Sequence, residues 1–536
     1  MTATREVRQR RPRFALRRAT PKRSEGGKPV TTCLDLFVML ARIIATLAVA
    51  SFVLSRLFVA PGASTLRRAA LSVSPFDVAQ RDPELVEGSK GDFGGTVPVQ
   101  QNTGDLDPRI VTLISSISEE RLGAIMRKLE SFETRSTLSS TDSPARGIGA
   151  AREWILQEMR SYSPKLQVSF DAYQVPKQGR ITRDVDLRNV MAMLPGKTPR
   201  RIYVSGHYDT LARPGGQGAS NASGAPRDPD AAAPPSADPN APLDNPAPGV
   251  NDDGSGTALT IELARVFSQS GIDFDATLVF MCHAGEEQGL VGARLHAQKA
   301  VAEKIPIEAV FNNDIVGNDK GGNGIVDGAS IRVYSEGPED SPSRSLARFI
   351  QRWAARYVPS HEVRPMARPD RFGRGGDHSA YNQLGFAAVG FRESRENFTR
   401  QHDVRDTFEG ISLRYLAENA RVNAAAMATL ALAPPPPIVT SDRGQPLITR
   451  APSGYDANLR WNPSPGAAGY RVFWREAWGP DWQHEMLVGN VTNVVLPNTQ
   501  IDDYVFGVAA VDAAGHESFI SAYVAPPRAN TPVRGK

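Results

Sequence analysis

"DATLVFMCHAGEEQG", residues 275–289, sets an unbroken apolar run against two adjacent glutamates. A short apolar run that does not alternate, closed by glycine, reads as a strand buried on both faces, as in parallel or mixed sheets. Glu286 and Glu287 sit just past its end. Carboxylates this close repel, and each raises the other's pKa. Placing both at one strand end calls for positive charge nearby.

Working outward, the same pattern recurs. "IYVSGHYD" (202–209), "IEAVFNNDIVGN" (307–318), "SIRVYSEG" (330–337) and "GFAAVGFRES" (385–394) read as further strands, two of them running into acids. Helical apolar spacing marks "DPRIVTLISSISEERLGAIMRKLESF" (107–132) and "ARGIGAAREWILQEMRSY" (145–162). It returns in "GSGTALTIELARVFSQSG" (254–271), "GLVGARLHAQKAV" (289–301) and "GISLRYLAENARVNAAAMATLALA" (410–433). Strands alternating with helices predict an α/β domain over 106–433, a mixed β-sheet flanked by helices. Residues 211–249, rich in Pro, Ala, Gly, Asp and Asn, read as a flexible low-complexity surface insertion.

"PPPP" (434–437) marks a linker. Beyond it, "ANLRWNPSPGAAGYRVFWREAW" and "VTNVVLPNTQIDDYVFGVAAVDAAGHES" alternate in short strands with turn signals, predicting a small all-β sandwich over 438–528. Trp461, then "GYRVFWR", then "LPNTQIDDYVFGVAAVD" resembles a fibronectin type III domain. No sequence feature names its partner.

The chain carries a net charge of +4, with 62 Lys and Arg against 58 Asp and Glu. Its first 30 residues hold ten basic and two acidic side chains, which is +8, so the remainder is near −4. No basic stripe tracks phosphates, and a nucleic-acid partner is not expected. After this head come thirteen uncharged residues between Arg42 and Arg56. Residues 1–60 therefore read as a basic head plus signal peptide or membrane anchor, engaging the membrane or export machinery, with the remainder exported across the cytoplasmic membrane. Residues 61–105 lack either period and read as a disordered linker. The two cysteines, Cys33 and Cys282, build no disulfide framework; Cys282 reads as a small core residue.

Acids and histidines gather just past the strand ends: His207 and Asp209 in "SGHYDT", Asp252 and Asp253 in "GVNDDGSGTA", Glu286 and Glu287, Asp314 in "NNDIVGN", and His402 in "QHDVRDT". In open α/β sheets ligands bind at the carboxyl ends of strands. These five motifs, in this order, resemble the zinc-dependent M28 peptidases, aminopeptidases with co-catalytic zinc, over roughly residues 107–432.

The resemblance implies two Zn2+ per chain and a peptide substrate. It makes Asp252 the carboxylate bridging the two ions, His207 and Asp314 the other ligands of one site, and Glu287 and His402 those of the second. Glu286 becomes the general base and Asp209 the support of His207. Zinc accepts His nitrogen and carboxylate oxygen, and two ions offset the repulsion between the paired glutamates. Asp253 reads as a helix cap or support and Tyr381 as packing. His378 is the rival of His402 as a ligand, but the resemblance makes Asp377 and His378 a pair lining the site rather than binding metal, with a helix cap the equal alternative for Asp377. Arg371, Arg374, Arg392 and Arg395 read as a solvated rim, with an acidic substrate group or peptide C-terminus as their alternative target. Two departures stand out. Asp403 occupies the place where threonine usually follows the late histidine, and the insertion between His207 and Asp252 is long. Rival readings are a carboxypeptidase or dipeptidase, a glutaminyl-cyclase-like enzyme of the same fold, and an inactive binding or adhesion protein.

Overall fold

The computed structural model describes residues 106–212, 243–452 and 454–524. The export segment, the linker through 105 and most of the insertion lie outside the described residues. Among those described, no helix is long and apolar enough to cross a membrane.

Eight strands form one mixed sheet: β1 (Gln167–Val175), β2 (Val185–Leu194), β3 (Arg201–His207), β4 (Thr277–His283), β5 (Ile307–Asn313), β6 (Ser330–Ser335), β7 (Glu362–Met366) and β8 (Ala388–Glu393). Their order is β1-β2-β4-β3-β5-β8-β6-β7. The central strands β4, β3, β5 and β8 run parallel, so their carboxyl ends share one edge. Toward the sides, β2 runs antiparallel to both β1 and β4, while β6 is antiparallel to β8 and parallel to β7.

The opening motif behaves as its pattern predicts. Every residue of β4 is buried. Leu278, Phe280 and Cys282 face the larger core, and Val279 and Met281 face the smaller one. Five helices supply the larger core: α1 (Pro108–Ser115), α2 (Glu119–Glu130), α3 (Gly147–Arg160), α4 (Gly254–Gln269) and α6 (Pro342–Tyr357). All but α3 pack against α8 (Leu413–Leu432), most of whose residues are buried. The opposite face is covered by α5 (Val291–Ala302) and the short α7 (His378–Asn382).

The insertion is shorter than its composition suggests. Ala247 is 3% exposed and its N–H bonds the Glu133 carbonyl, while Leu243 N–H bonds the Leu138 carbonyl. Residues 243–249 are thus packed against the loop after α2.

C-terminal to α8, antiparallel strands form two sheets. One has β9 (Ile448–Arg450), β10 (Asp456–Arg460) and β13 (Asn493–Gln500). The other has β11 (Gly469–Glu476), β12 (His484–Gly489), β14 (Tyr504–Val511) and β15 (Ser521–Ala522). Their shared core contains Trp461, Tyr470, Leu496 and Phe506. This unit docks on α6. Phe349 meets Phe519 edge-on at 5.1 Å, and Arg352 pairs with Glu485 at 2.8 Å and Glu517 at 3.2 Å.

Candidate metal centre

The parallel strands deliver the motifs to one place. β3 ends in His207, whose N–H donates to Asp253 Oδ2 at 3.0 Å and whose carbonyl accepts from Thr257 Oγ1 at 2.8 Å. That junction needs glycine on both sides. A Cβ on Gly206 would lie 2.5 Å from the Gly256 carbonyl carbon, and one on Gly256 would overlap the Asn313 carbonyl oxygen. The close approach lets the start of α4 press its acids against the ends of β3 and β5.

His207 Nδ1 lies 3.0 Å from the Asp209 carbonyl oxygen. Donating a proton there leaves the Nε2 lone pair facing inward. Nε2 lies 3.5 Å from Asp252 Oδ1 and 3.7 Å from Asp314 Oδ1. On the far side of the same carboxylate, Asp252 Oδ2 is 3.2 Å from His402 Nε2, which is 3.1 Å from Glu287 Oε2. Two ligands of a tetrahedral zinc at ~2.0–2.1 Å stand about 3.3 Å apart. These separations are close to the spacing of zinc-ligand atoms, in two groups that meet at Asp252. His207 Nε2, Asp252 Oδ2 and Glu287 Oε1 are buried with no hydrogen-bond partner. Such atoms are costly unless something binds them, and the nitrogen-and-carboxylate donor set suits zinc.

Asp253 also lies within 4.8 Å of the His207 and Asp314 ligand atoms. Its oxygens are engaged elsewhere, accepting from the N–H groups of Gly256 (2.9 Å), His207 (3.0 Å) and Ile315 (3.1 Å). It is the cap of α4 and a clamp on two strand ends, as the sequence reading has it. Ile315 sits at φ 60, a left-handed conformation that a β-branched residue avoids, one position after Asp314. The Asp253 bond and the Glu393 N–H to Ile315 carbonyl bond hold it there.

The glutamate pair is fixed through its backbone. Asp209, fully buried, accepts the Glu286 N–H at 3.1 Å on Oδ1 and the Glu287 N–H at 3.2 Å on Oδ2. The expected support of His207 from Asp209 comes mainly from its carbonyl; the carboxylate holds the two glutamates. Glu286 Oε2 is 3.9 Å from His207 Nε2. Burial first, then the carboxylates of Asp314, Glu287 and Asp377, push the Glu286 carboxyl well above its usual range, with His207 opposing. A bound cation also opposes the rise. Burial alone would lower the histidines; the surrounding carboxylates win, holding His207 well above its usual value and His402 up to about 10. Asp252 is held well below the usual carboxylate range by both histidines against its burial.

Three supporting residues were not identified from sequence. Arg135, fully buried, donates to the carbonyls of Leu129, Tyr208, Pro248 and Gly249, tying together the loops that lead to Asp209 and Asp252. Burial pulls its pKa down to about 10. Asp406 accepts the N–H groups of Asn251 and Asp252 at 3.1 and 2.9 Å. It belongs to the late motif, whose only assigned role was the histidine. Glu393 accepts from Asn251 Nδ2 and the Asn318 N–H, both at 3.0 Å. Asp403, the departure from the usual threonine, closes its own turn by accepting the Arg405 N–H at 2.9 Å, so His402 keeps its place.

The arginine rim is corrected. Arg392 is 0% exposed, bonds the Asp314 carbonyl at 2.8 Å and pairs with the Asp314 carboxylate. Arg371 pairs with Asp370 and Glu396, each at 2.8 Å, and Arg374 with Glu396 at 3.0 Å. Acids on the neighbouring loops draw these guanidinium groups inward, and Arg395 alone of the four is exposed. His378 is buried, its Nε2 2.8 Å from the Pro369 carbonyl, and Tyr381 packs on Tyr203, His283 and Phe386. Neither converges with the ligand atoms. Asp377 makes no cap bond. Burial first, then Asp209 and Asp314, push it up to about 8, against His207 and Arg392.

The profile of peptidase family M28 matches residues 189–427. A probable zinc metalloprotease of Pyricularia oryzae is 36% identical over 453 residues, covering 77% of this chain and 84% of the relative. One from Leptosphaeria maculans is 34% identical over 440 residues, covering 76% and 94%. Among solved structures, the Legionella pneumophila LapA aminopeptidase aligns with a TM-score of 0.45 at 18% identity, covering 64% of this chain and 78% of that chain. A Porphyromonas gingivalis glutaminyl cyclase aligns at 0.43 and 16% identity, covering 58% and 98%.

Proposed function

The chain belongs to peptidase family M28 and is a zinc metalloprotease, and on that premise we propose that it is an aminopeptidase using two zinc ions. The supporting observation is the Asp252 carboxylate, which faces His207 Nε2 with one oxygen and His402 Nε2 with the other. His207, Asp252 and Asp314 would hold one ion, and Asp252, Glu287 and His402 the other. Zinc, when bound, supplies a Lewis acid for the peptide carbonyl and a lowered pKa for water.

The protein's own groups do the rest. Asp209 fixes the backbone of residues 286 and 287, so the Glu287 carboxylate can bind metal while Glu286 stays free of it. Glu286 takes a proton from the attacking water and delivers it to the leaving amine. Export through the basic and apolar residues 1–60 and a fibronectin type III-like role for 438–528 belong to the same proposal. The latter is supported by the three-strand and four-strand sheets around Trp461 and Tyr470.

The test compares free and N-acetylated peptides on zinc-loaded, chelator-treated and Glu286→Gln protein. The expected result is cleavage of free peptides only, lost with chelator and reduced about 10²–10⁴-fold in the variant. Equal cleavage of blocked peptides favours the carboxypeptidase or dipeptidase instead. Ammonia released from an N-terminal glutamine peptide without chain cleavage favours the cyclase.

A further inference from the structure

We propose that Asp377 is the counter-ion for the N-terminal ammonium of the substrate, an assignment that rests on the aminopeptidase reading above. Asp377 is 1% exposed, and both of its carboxylate oxygens are buried without a hydrogen-bond partner. A buried carboxyl group with neither oxygen hydrogen-bonded is expensive to keep. The ordinary reason for an Asp at this position, capping α7, is absent because the side chain makes no cap bond. Nor is it a metal ligand by position, since it is not among the carboxylates whose oxygens converge with His207 or His402.

Its place is the wall of the metal centre. A Cβ on the preceding Gly376 would lie 3.2 Å from Asp314 Oδ2, so the chain passes directly against a ligand. His207, Asp209 and Asp314 are among the groups acting electrostatically on Asp377, and Asp377 acts on Glu286. The fixed cations nearby are committed. Arg392 is held by Asp314, Asp370 and the Gly375 carbonyl, and Arg371 by Asp370 and Glu396. The charge that fits this carboxylate is a mobile one of ammonium type, delivered with the substrate beside Glu286. A free amine would then be required for tight binding, and a blocked or deaminated peptide would leave Asp377 buried and unpaired.

The experiment has a binding arm and a kinetic arm, both on the full chain. Calorimetry on chelator-treated protein compares 3-methylbutylamine with 3-methylbutanol. Kinetics on zinc-loaded protein use leucine p-nitroanilide. Wild type should bind the amine about tenfold or more tightly than the alcohol, and Asp377→Asn should bind them alike. The variant should raise KM by about tenfold while kcat moves far less. Retained amine preference in the variant, or an unchanged KM, overturns the assignment. Asp377 makes no hydrogen bond that the variant would lose, so the Tm should be equal or higher, and a variant that fails to fold also overturns it. Cleavage of N-acetylated peptides by wild type sinks the aminopeptidase reading instead. An amine requirement untouched by Asp377→Asn sinks only this one.

Discussion

Asp209→Asn separates a carboxylate that organises the glutamate pair from one that merely lies nearby. Both oxygens of Asp209 accept backbone N–H groups, those of Glu286 and Glu287, and Oδ2 also accepts from Thr137 Oγ1 at 3.1 Å. An asparagine offers one acceptor and one donor. Whichever way it turns, one glutamate N–H meets an NH2 group in a fully buried site. The lost charge-assisted bond is worth about 1.5–3 kcal/mol, and the unsatisfied donor adds about 1–3 kcal/mol. Together they destabilise the domain by roughly 3–5 kcal/mol. At about 2 °C per kcal/mol for a large domain, the Tm should fall by roughly 5–10 °C. The displaced backbone carries a proposed zinc ligand, so zinc affinity should fall about 10–100-fold, as it does when an outer partner of a ligand is removed. Scanning calorimetry and a competitive zinc titration read the two effects. A variant with unchanged Tm and unchanged zinc affinity refutes the claim that Asp209 fixes the pair.

Arg135→Met leaves four buried carbonyls without their donor and should cost at least about 3 kcal/mol in denaturant unfolding; a change within 0.5 kcal/mol, the ordinary scatter of surface substitutions, speaks against the clamp. Gly256→Ala drives a methyl into the Asn313 carbonyl and should lower both soluble yield and Tm; a wild-type Tm contradicts the close packing there. His516 Nε2 meets Asp107 Oδ2 at 2.9 Å across the junction of the two domains, and its Nδ1 meets Asp512 Oδ2 at 2.7 Å. Burial would lower His516, but Asp512 and Asp107 hold it above 6.5, so its contribution is full below about pH 6.5 and lost as pH rises through the folded value. Asp107, raised by burial but lowered overall by Arg109 and His516, contributes above pH 3.8 and loses this as pH falls lower. The junction should therefore be firmest between about pH 4 and 6.5. His516→Ala should flatten the loss of Tm from pH 6 to 9, and an unaltered slope refutes the latch.

Much of the site was legible because its residues follow strands. β4, β3 and β5 read as buried runs, and a parallel sheet sends their following residues to one edge, which is why His207, Glu286, Glu287 and Asp314 converge. Its place before a glycine-rich helix start made Asp252 a cap as readily as a ligand, and only the family resemblance chose between them; the structure gives the cap to Asp253. What stayed hidden depends on contacts remote in sequence. Arg135 lies 113 residues from Pro248, and Asp406 lies 154 from Asp252. A lone Arg or Asp in a loop carries no period that would show such a bond. The arginines misread as a rim show the same limit. Their environment is set by Asp370 and Glu396, whose approach depends on how the loops after β7 and β8 pack. The insertion was misjudged at its end because composition is averaged over a window, whereas the packing of Ala247 is a single-residue fact.

The central claim is a cage for two cations sharing Asp252, and metal counting tests it most directly. Mass-spectrometric analysis of dialysed protein should give two zinc ions per chain in wild type. His402→Ala should retain one, and Asp252→Ala should hold neither tightly. One ion in wild type, or two retained after Asp252→Ala, contradicts the shared carboxylate.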